Sequence, residues 1–309
     1  MNADLDTLAT ALYVTTDDLL KAHPERVPRR PAVGIQPRVT DAEIITLAVM
    51  QALLSFTSEA RFLRYANKHL RQMFPVLPGQ SDYNKRLRRH AHTMAWLIGV
   101  LATQVSVVTD QVWLVDSTPV ECGRSRETAK RSDLRGYAEY GYGASHTRYF
   151  LGFRLHLIAT VHGIPIAWAL TGAKAHEREV LDAMLDRLPL DLARRIRDSL
   201  QRQALLGDKN YYGKVFETDL TELGIDLIRP TRSKEQARPG QEFLKPLRQI
   251  IESIFDTLKG QLDLERHEGR SLAGVSARIS QRLLALSTAI WHNDRIGAPV
   301  LRSLTAYDH

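Results

Sequence analysis

The sequence predicts an α/β fold: a mixed five-stranded sheet flanked by helices and preceded by a helical N-terminal region. Three observations predict it. Up to about residue 109 the apolar residues recur at helical spacing. From Val112 onward, short apolar or alternating runs appear, the mark of strands. From residue 112 to residue 262 the elements follow the order β-β-β-α-β-α-β-α. A meander followed by two strands reached through helices makes the sheet mixed. The expected division is 1–109 for the helical region and 110–309 for the sheet-bearing domain.

In chain order, residues 22–38 come first. Pro24, Pro28, Pro31 and Pro37, among Arg26, Arg29, Arg30 and Arg38, make a basic connector that cannot be one helix. Thr40 and Glu43 have capping-box spacing, and Ile44, Leu47, Ala48 and Leu54 follow at helical spacing. A second helix is expected over 58–73, where Phe62, Ala66 and Leu70 face inward and Phe74-Pro75 ends it. A third starts near Ser81 and carries Leu87, Met94, Leu97 and Leu101. Val112-Trp113-Leu114-Val115 is a short apolar strand ending in Asp116, and a polar stretch, 122–148, follows it. Phe153, Leu155, Leu157 and Ala159 alternate with Arg154, His156 and Thr160, and His162-Gly163 turns into 164–170. Pro165 there suggests a strand end or an edge. Helices are expected over 177–187 and 190–203, a buried strand over 204–208, and a helix over 214–223 that Gly224 stops. Ile225–Ile228 is the fifth strand, a charged loop spans 229–242, and helices close the chain over 244–262 and about 272–292.

Composition narrows the function. Lys+Arg 42 against Asp+Glu 35 leaves a net charge of +7, which favours a polyanionic partner such as nucleic acid. One cysteine, Cys122, excludes an internal disulfide framework and a cysteine-cluster zinc site, and fits a reducing compartment. The acidic N-terminus lacks the cationic region of a signal peptide. The longest apolar run is far short of the ~20 residues that span a bilayer. The expectation is a soluble intracellular protein with no membrane partner.

Two acids follow apolar runs at expected strand ends, Asp116 and Asp208. In open α/β sheets such ends face the crevice where chemistry occurs. On the helix over 244–262, Lys245, Arg248, Glu252, Asp256 and Lys259 share one stripe, while Leu247, Ile251, Ile254 and Leu258 lie on another. The polar stripe is either a solvated face with ion pairs such as Arg248–Glu252 or a catalytic face that meets Asp116 and Asp208. Three converging carboxylates repel one another unless a cation is present. Mg²⁺ suits them, being hard and content with carboxylates, water and phosphate oxygens. Two such ions can activate the attacking oxygen and stabilise the leaving one in phosphodiester displacement. Lys85, Arg86, Arg88 and Arg89, close together on the third helix, either contact phosphates or form a solvated face. The stretch 122–148, with interleaved Arg and Tyr, suits a nucleic-acid strand or is a solvated loop. His156 reads as a core or hairpin histidine, and Asp110, Glu121 and Asp226 are weaker carboxylate rivals.

Three motifs then carry a resemblance: Val115-Asp116-Ser117-Thr118-Pro119-Val120, Gly207-Asp208-Lys209-Asn210-Tyr211-Tyr212-Gly213, and the run from Arg248 through Glu252 to Lys259. The chain resembles a DDE-type transposase of a bacterial insertion sequence, with an RNase H-like catalytic core. The resemblance covers most of the chain. It implies that Asp116, Asp208 and Glu252 are catalytic and bind two Mg²⁺ ions, with Mn²⁺ a substitute. The family signature Tyr-x2-Arg-x3-Glu-x6-Lys is met at Arg248, Glu252 and Lys259, while Lys245 stands at the Tyr position; Arg248 and Lys259, on the stripe of Glu252, are expected to hold a DNA phosphate.

The resemblance further implies that the N-terminal helices bind terminal inverted repeats and that the core frees a 3′-OH at the element end. That hydroxyl then attacks target DNA without a covalent protein–DNA intermediate. A homodimer in the DNA complex and a cytoplasmic, nucleoid-associated location are implied as well. Two alternatives share the motifs: an RNase H-like nuclease without strand transfer, and an inactive transposase-derived DNA-binding regulator.

Overall fold

The computed structural model describes residues 3–29, 36–143, 148–199, 201–233, 235–236 and 238–307. The connector expected over 22–38 and the polar stretch 122–148 lie partly outside them. Helices α1 (Ala3–Ala22), α2 (Asp41–Leu53), α3 (Glu59–His69), α4 (Gln80–Arg89) and α5 (Ala91–Gln104) precede the first strand. Next come β1 (Val112–Gly123), α6 (Arg126–Arg131), β2 (Glu139–Gly143), β3 (Arg148–Thr160) and β4 (Pro165–Gly172). Then follow α7 (Glu177–Leu185), α8 (Leu190–Asp198), β5 (Gln203–Leu206), α9 (Lys214–Glu222), β6 (Ile225–Ile228), α10 (Gln241–Asp256) and α11 (Leu272–Arg295). The chain forms two units, 1–101 with 258–309, and 102–257.

This division differs from the expected one, which gave all of 110–309 to the sheet-bearing domain. The reason is α11. Ile279, Leu283, Leu286 and Ile290 are buried on it, and it packs on α1, α2 and α4. Thr40 caps α2 through the expected box: Glu43 N donates to Thr40 Oγ1 (3.1 Å) and Thr40 N to Glu43 Oε2 (2.6 Å). The third expected helix is two, α4 and α5. It breaks at His90, whose Nε2 lies 3.0 Å from Asp41 Oδ1. Helix α1 was not expected, yet Leu5, Leu8 and Leu12 are fully buried along one face of it.

A buried polar network ties α2, α3, α4 and α11 together. Tyr83 Oη donates to Gln51 Oε1 (2.9 Å), Gln281 Nε2 to Ala48 O (2.7 Å), and Asn84 Nδ2 to Glu59 Oε1 (2.8 Å). Arg278 pairs with Glu59, both side chains being nearly out of solvent. Such a network specifies one arrangement of the helices because each member is costly when left alone.

In the other unit, β1 is antiparallel to β3, from Trp113↔Thr160 to Glu121↔Gly152, and parallel to β5, from Val112↔Ala204 to Leu114↔Leu206. Strand β6 lies parallel beyond β5. The far edge of β3 is shared: β2 pairs with its first half and β4 with its second. The sheet thus has six strands in five positions, β2/β4-β3-β1-β5-β6. This is the expected mixed order, with β2 as the extra strand inside the stretch read as polar. Strand β1 also runs past Asp116, where the apolar run suggested an end. Pro119 is tolerated there because β5 has already stopped and β1 has a partner on one side only.

Behind β6 the chain is held by one cation. Arg229, 2% exposed, donates to Glu217 Oε1 (2.7 Å) and to both oxygens of Glu235 (2.8 Å each). Arg238 takes Glu217 Oε2 (2.6 Å). Burial works to raise the Glu217 carboxyl, but the bonds from Arg229 and Arg238 outweigh it and hold it low.

Two expectations follow from these networks. Glu59→Gln strands the Arg278 charge and should cost about 3 kcal/mol in urea unfolding, whereas Glu59→Leu with Arg278→Met should recover much of that loss. Glu235 is held down to about 2 by Arg229, against an ordinary 4.5. Its stabilisation is therefore full above about 4.5 and lost as pH falls towards 2. Acid unfolding of Glu235→Gln should lack that segment of pH dependence.

Candidate active site

The parallel pairing of β1 with β5 ends at Leu114↔Leu206, but β1 continues along β3 for another nine residues, to Gly123. A crevice opens at that point. Asp116 lies two residues past Leu114, and Asp208 two residues past Leu206. Both line the crevice, with Leu247, Arg248 and Ile251 of α10 on its other side.

The acids are held by backbone. Ser117 N donates to Asp116 Oδ1 (2.7 Å), and Asn210 N donates to Asp208 Oδ1 (2.7 Å) while its Nδ2 reaches Oδ2 (3.0 Å). Burial is the largest influence on Asp116 and pushes its carboxyl up to about 6; the charges of Asp208 and Glu177 add to this and Arg248 opposes it. Asp208 is raised too, first by burial and then by Glu177, against the Asn210 bond, Arg248 and Lys209. Two half-buried, mutually repelling carboxylates with hard oxygen donors are the set that Mg²⁺ accepts.

Glu177 was not among the residues expected here. It opens α7, and Ser117 Oγ donates to its Oε1 (2.8 Å). Arg154 Nη1 reaches both Ser117 Oγ (3.0 Å) and Glu177 Oε1 (3.4 Å). In sequence Glu177 is only an acid in the first turn of a helix, where acids are ordinary. Tyr211 was quoted only within its motif. It is 1% exposed, its hydroxyl has no hydrogen-bond partner among the described residues, and Gly207 makes room for its ring. A Cβ on Gly207 would stand 2.8 Å from Tyr211 Cδ2 and 3.2 Å from Val115 Cγ1. Burial, then the charges of Glu177, Asp116 and Asp208, keep the Tyr211 phenol protonated. His156 is buried, with Nε2 3.0 Å from Thr171 Oγ1, and burial pushes it down to about 4. It is a neutral core histidine that faces Ser117 across the β1–β3 register.

The third expected acid is not among the residues that line the crevice. Glu252 is exposed on α10 and accepts from Arg248 Nε (3.1 Å), the ion pair of a solvated stripe. Among the described residues no group of three or more His, Cys, Asp or Glu is placed to hold a metal ion. Lys259 lies in the turn Thr257–Gln261 that follows α10 and belongs to the helical unit. Of the four cations on α4, Lys85, Arg88 and Arg89 are exposed. Arg86 is not. It is buried, donating to Val39 O (2.8 Å) and to Asp41 Oδ1 (2.7 Å), so it holds the helices together and does not meet phosphates.

Residues 109–288 match the family model described as "Transposase DDE domain". A cryo-EM structure of a piggyBac transposase synaptic complex with hairpin DNA is similar at a TM-score of 0.36 and 9% identity, covering 95% of this chain and 80% of that one. No curated protein matches the chain.

The packing of Tyr211 on Gly207 is open to a direct check. Gly207→Ala should cost about 1–3 kcal/mol in urea unfolding, the usual cost of overpacking. Gly207→Ala combined with Tyr211→Leu should recover part of it. An unaltered single variant would mean that Tyr211 is not confined.

Proposed function

The chain belongs to the family of transposase DDE domains, and from this premise we propose that it cuts phosphodiester bonds at the ends of its own insertion sequence. The freed 3′-OH is then joined to target DNA. One observation carries the reading: Asp116 and Asp208 enter a single crevice where the β1–β5 pairing stops, with Arg248 opposite them. Asp116 and Asp208 would hold Mg²⁺, with Glu252 the third acid, in a two-metal arrangement where Mn²⁺ substitutes. Ions held there would supply Lewis-acid activation of an attacking oxygen and charge neutralisation at a leaving one. The chain supplies the rest. Ser117 N and Asn210 fix the two carboxylates. Arg248, freed from Glu252, would take a phosphate oxygen, and Lys259 would serve as a further DNA contact. Apolar Leu247 and Ile251 limit water on the α10 side.

A second reading of the third acid has its own support. Glu177 is the carboxylate whose charge acts on both Asp116 and Asp208. It would serve in place of Glu252 or beside it. The helical region, through Lys85, Arg88 and Arg89, would bind terminal inverted repeats, and a homodimer would hold two ends together. No helix among the described residues is long and apolar enough to cross a membrane. A cytoplasmic, nucleoid-associated site of action accords with the DNA substrate. A nuclease without strand transfer and an inert DNA-binding regulator are the readings a joining assay and a cleavage assay would respectively leave standing.

Duplex DNA carrying the repeats that flank the encoding gene is the substrate to use. Asp116→Asn and Asp208→Asn should each lose about 10³-fold or more of Mg²⁺-dependent cleavage, several kcal/mol of transition-state stabilisation, while DNA binding survives. Robust cleavage by either variant would remove that residue from the site. Mn²⁺ affinity, read by electron paramagnetic resonance, should fall in Glu252→Gln; a fall in Glu177→Gln alone would transfer the third position. Lys85→Ala with Arg88→Ala should reduce the slope of log K against log salt by about one per lost phosphate contact.

A further inference from the structure

Beside the crevice, three residues form an arrangement that the chemistry above does not use. Tyr212 follows the buried Tyr211 and points outward, 36% exposed. The Arg232 guanidinium lies over its ring, Cζ 3.5 Å from the centroid, and that of Arg178 lies 5.0 Å from it. Arg178 Nη1 also donates to Tyr212 O (2.8 Å). Gly213 makes that approach possible: its φ is +148°, and a Cβ there would stand 2.9 Å from Arg178 Nη1.

All three residues are tied to the catalytic crevice. Arg178 follows Glu177 at the start of α7. Tyr212 ends the loop that begins at Asp208. Arg232 lies two residues beyond Pro230, which lines the crevice. Arg232 is also placed by design of its surroundings: its backbone N donates to Glu235 Oε2 (2.9 Å), and Glu235 is locked by Arg229.

Glu217 and Glu235 are both committed to Arg229, and Glu217 to Arg238 as well. Neither Arg178 nor Arg232 has a carboxylate within ion-pair distance among the described residues; Asp182, one turn along α7, feels Arg178 without pairing. Two guanidinium groups gathered on one ring repel each other. The ring face offsets part of that cost. An anion between or beside them would offset the rest, and stacking leaves the edge donors of each guanidinium free to bind it.

We infer that Arg178 and Arg232, arrayed on Tyr212, grip the phosphate backbone of the DNA strand beside the bond that is cut. The inference rests on the reading of Asp116 and Asp208 as the cutting site of a DNA-acting enzyme. It adds a positioning device whose output is the register of the strand over those acids. The ring sets the spacing of the two cations, and the Arg229 cluster keeps one of them from drifting.

The test uses the full chain and a mixed-sequence duplex of about 40 base pairs, enough to exceed a typical protein footprint. Affinity is followed by fluorescence anisotropy across a salt series. Arg232→Ala should weaken binding about tenfold at low salt and reduce the log K against log salt slope by about one. Arg232→Lys should keep most of the slope, because it keeps the charge, but not all of the affinity. Tyr212→Leu should weaken binding with no charge removed. Mn²⁺ affinity should be unaltered in all three, which shows the carboxylate site intact. Unchanged affinity and slope in Arg232→Ala would overturn the inference, leaving the stack as a structural strut. The failure of the parent reading looks different. Asp116→Asn would then retain cleavage, whatever the salt slope of Arg232→Ala.

Discussion

The unequal length of β1 and β5 is the constraint on which the rest of this molecule depends. Pairing with β5 ends at Leu206, while β3 carries β1 on to Gly123. Had the two strands ended together, Asp116 would lie at a sheet edge in water. Because they do not, Asp116 stays inside the sheet with one flank open, and the loop after β5 delivers Asp208 to that flank. Helix α10 closes the crevice from above with apolar residues and one arginine. The raised carboxyl of Asp116 is the electrostatic result of this geometry, burial first and neighbouring acids second.

Much of this was legible from residue patterns. Asp116 and Asp208 stood out because each follows an apolar run, and a run that ends in an acid marks the rim of a parallel sheet. The mixed strand order was legible from the succession of apolar runs, one alternating run and helical patterns between them. What escaped was what depends on pairing. Strand β1 looked short because Ser117, Thr118 and Pro119 are poor strand signals, and only the register with β3 shows that they continue it. Strand β2 was hidden by its composition, Glu-Tyr-Gly-Tyr-Gly, which reads as a loop. Glu177 carries no local signature, since its importance comes from the Ser117 and Arg154 side chains of two strands far from it in sequence.

Arg86 and α1 are different, because the signal was present. Tyr83, Arg86, Leu87 and His90 fall at i, i+3, i+4 and i+7, and all four are buried. A charge on that stripe had to find a partner, and Asp41 is that partner. Leu5, Leu8 and Leu12 likewise repeat at helical spacing in a segment whose acids drew attention first. In both cases periodicity outranked charge as a guide to which way a residue faces.

The return of the chain to its first unit has a consequence for biosynthesis. Residues 1–101 leave the ribosome well before α11, yet α11 supplies Arg278 and Gln281 to the network around Gln51 and Glu59. Until then the nascent helices expose an apolar face and a Glu59 without its Arg278 counter-charge. The sheet-bearing segment between them can fold on its own timetable, so the first part synthesised is the last to be completed. Pairings so distant in sequence are slow to form, and exposed apolar faces invite aggregation in the interval. A premature stop before residue 258 would thus damage the beginning of the protein more than its middle.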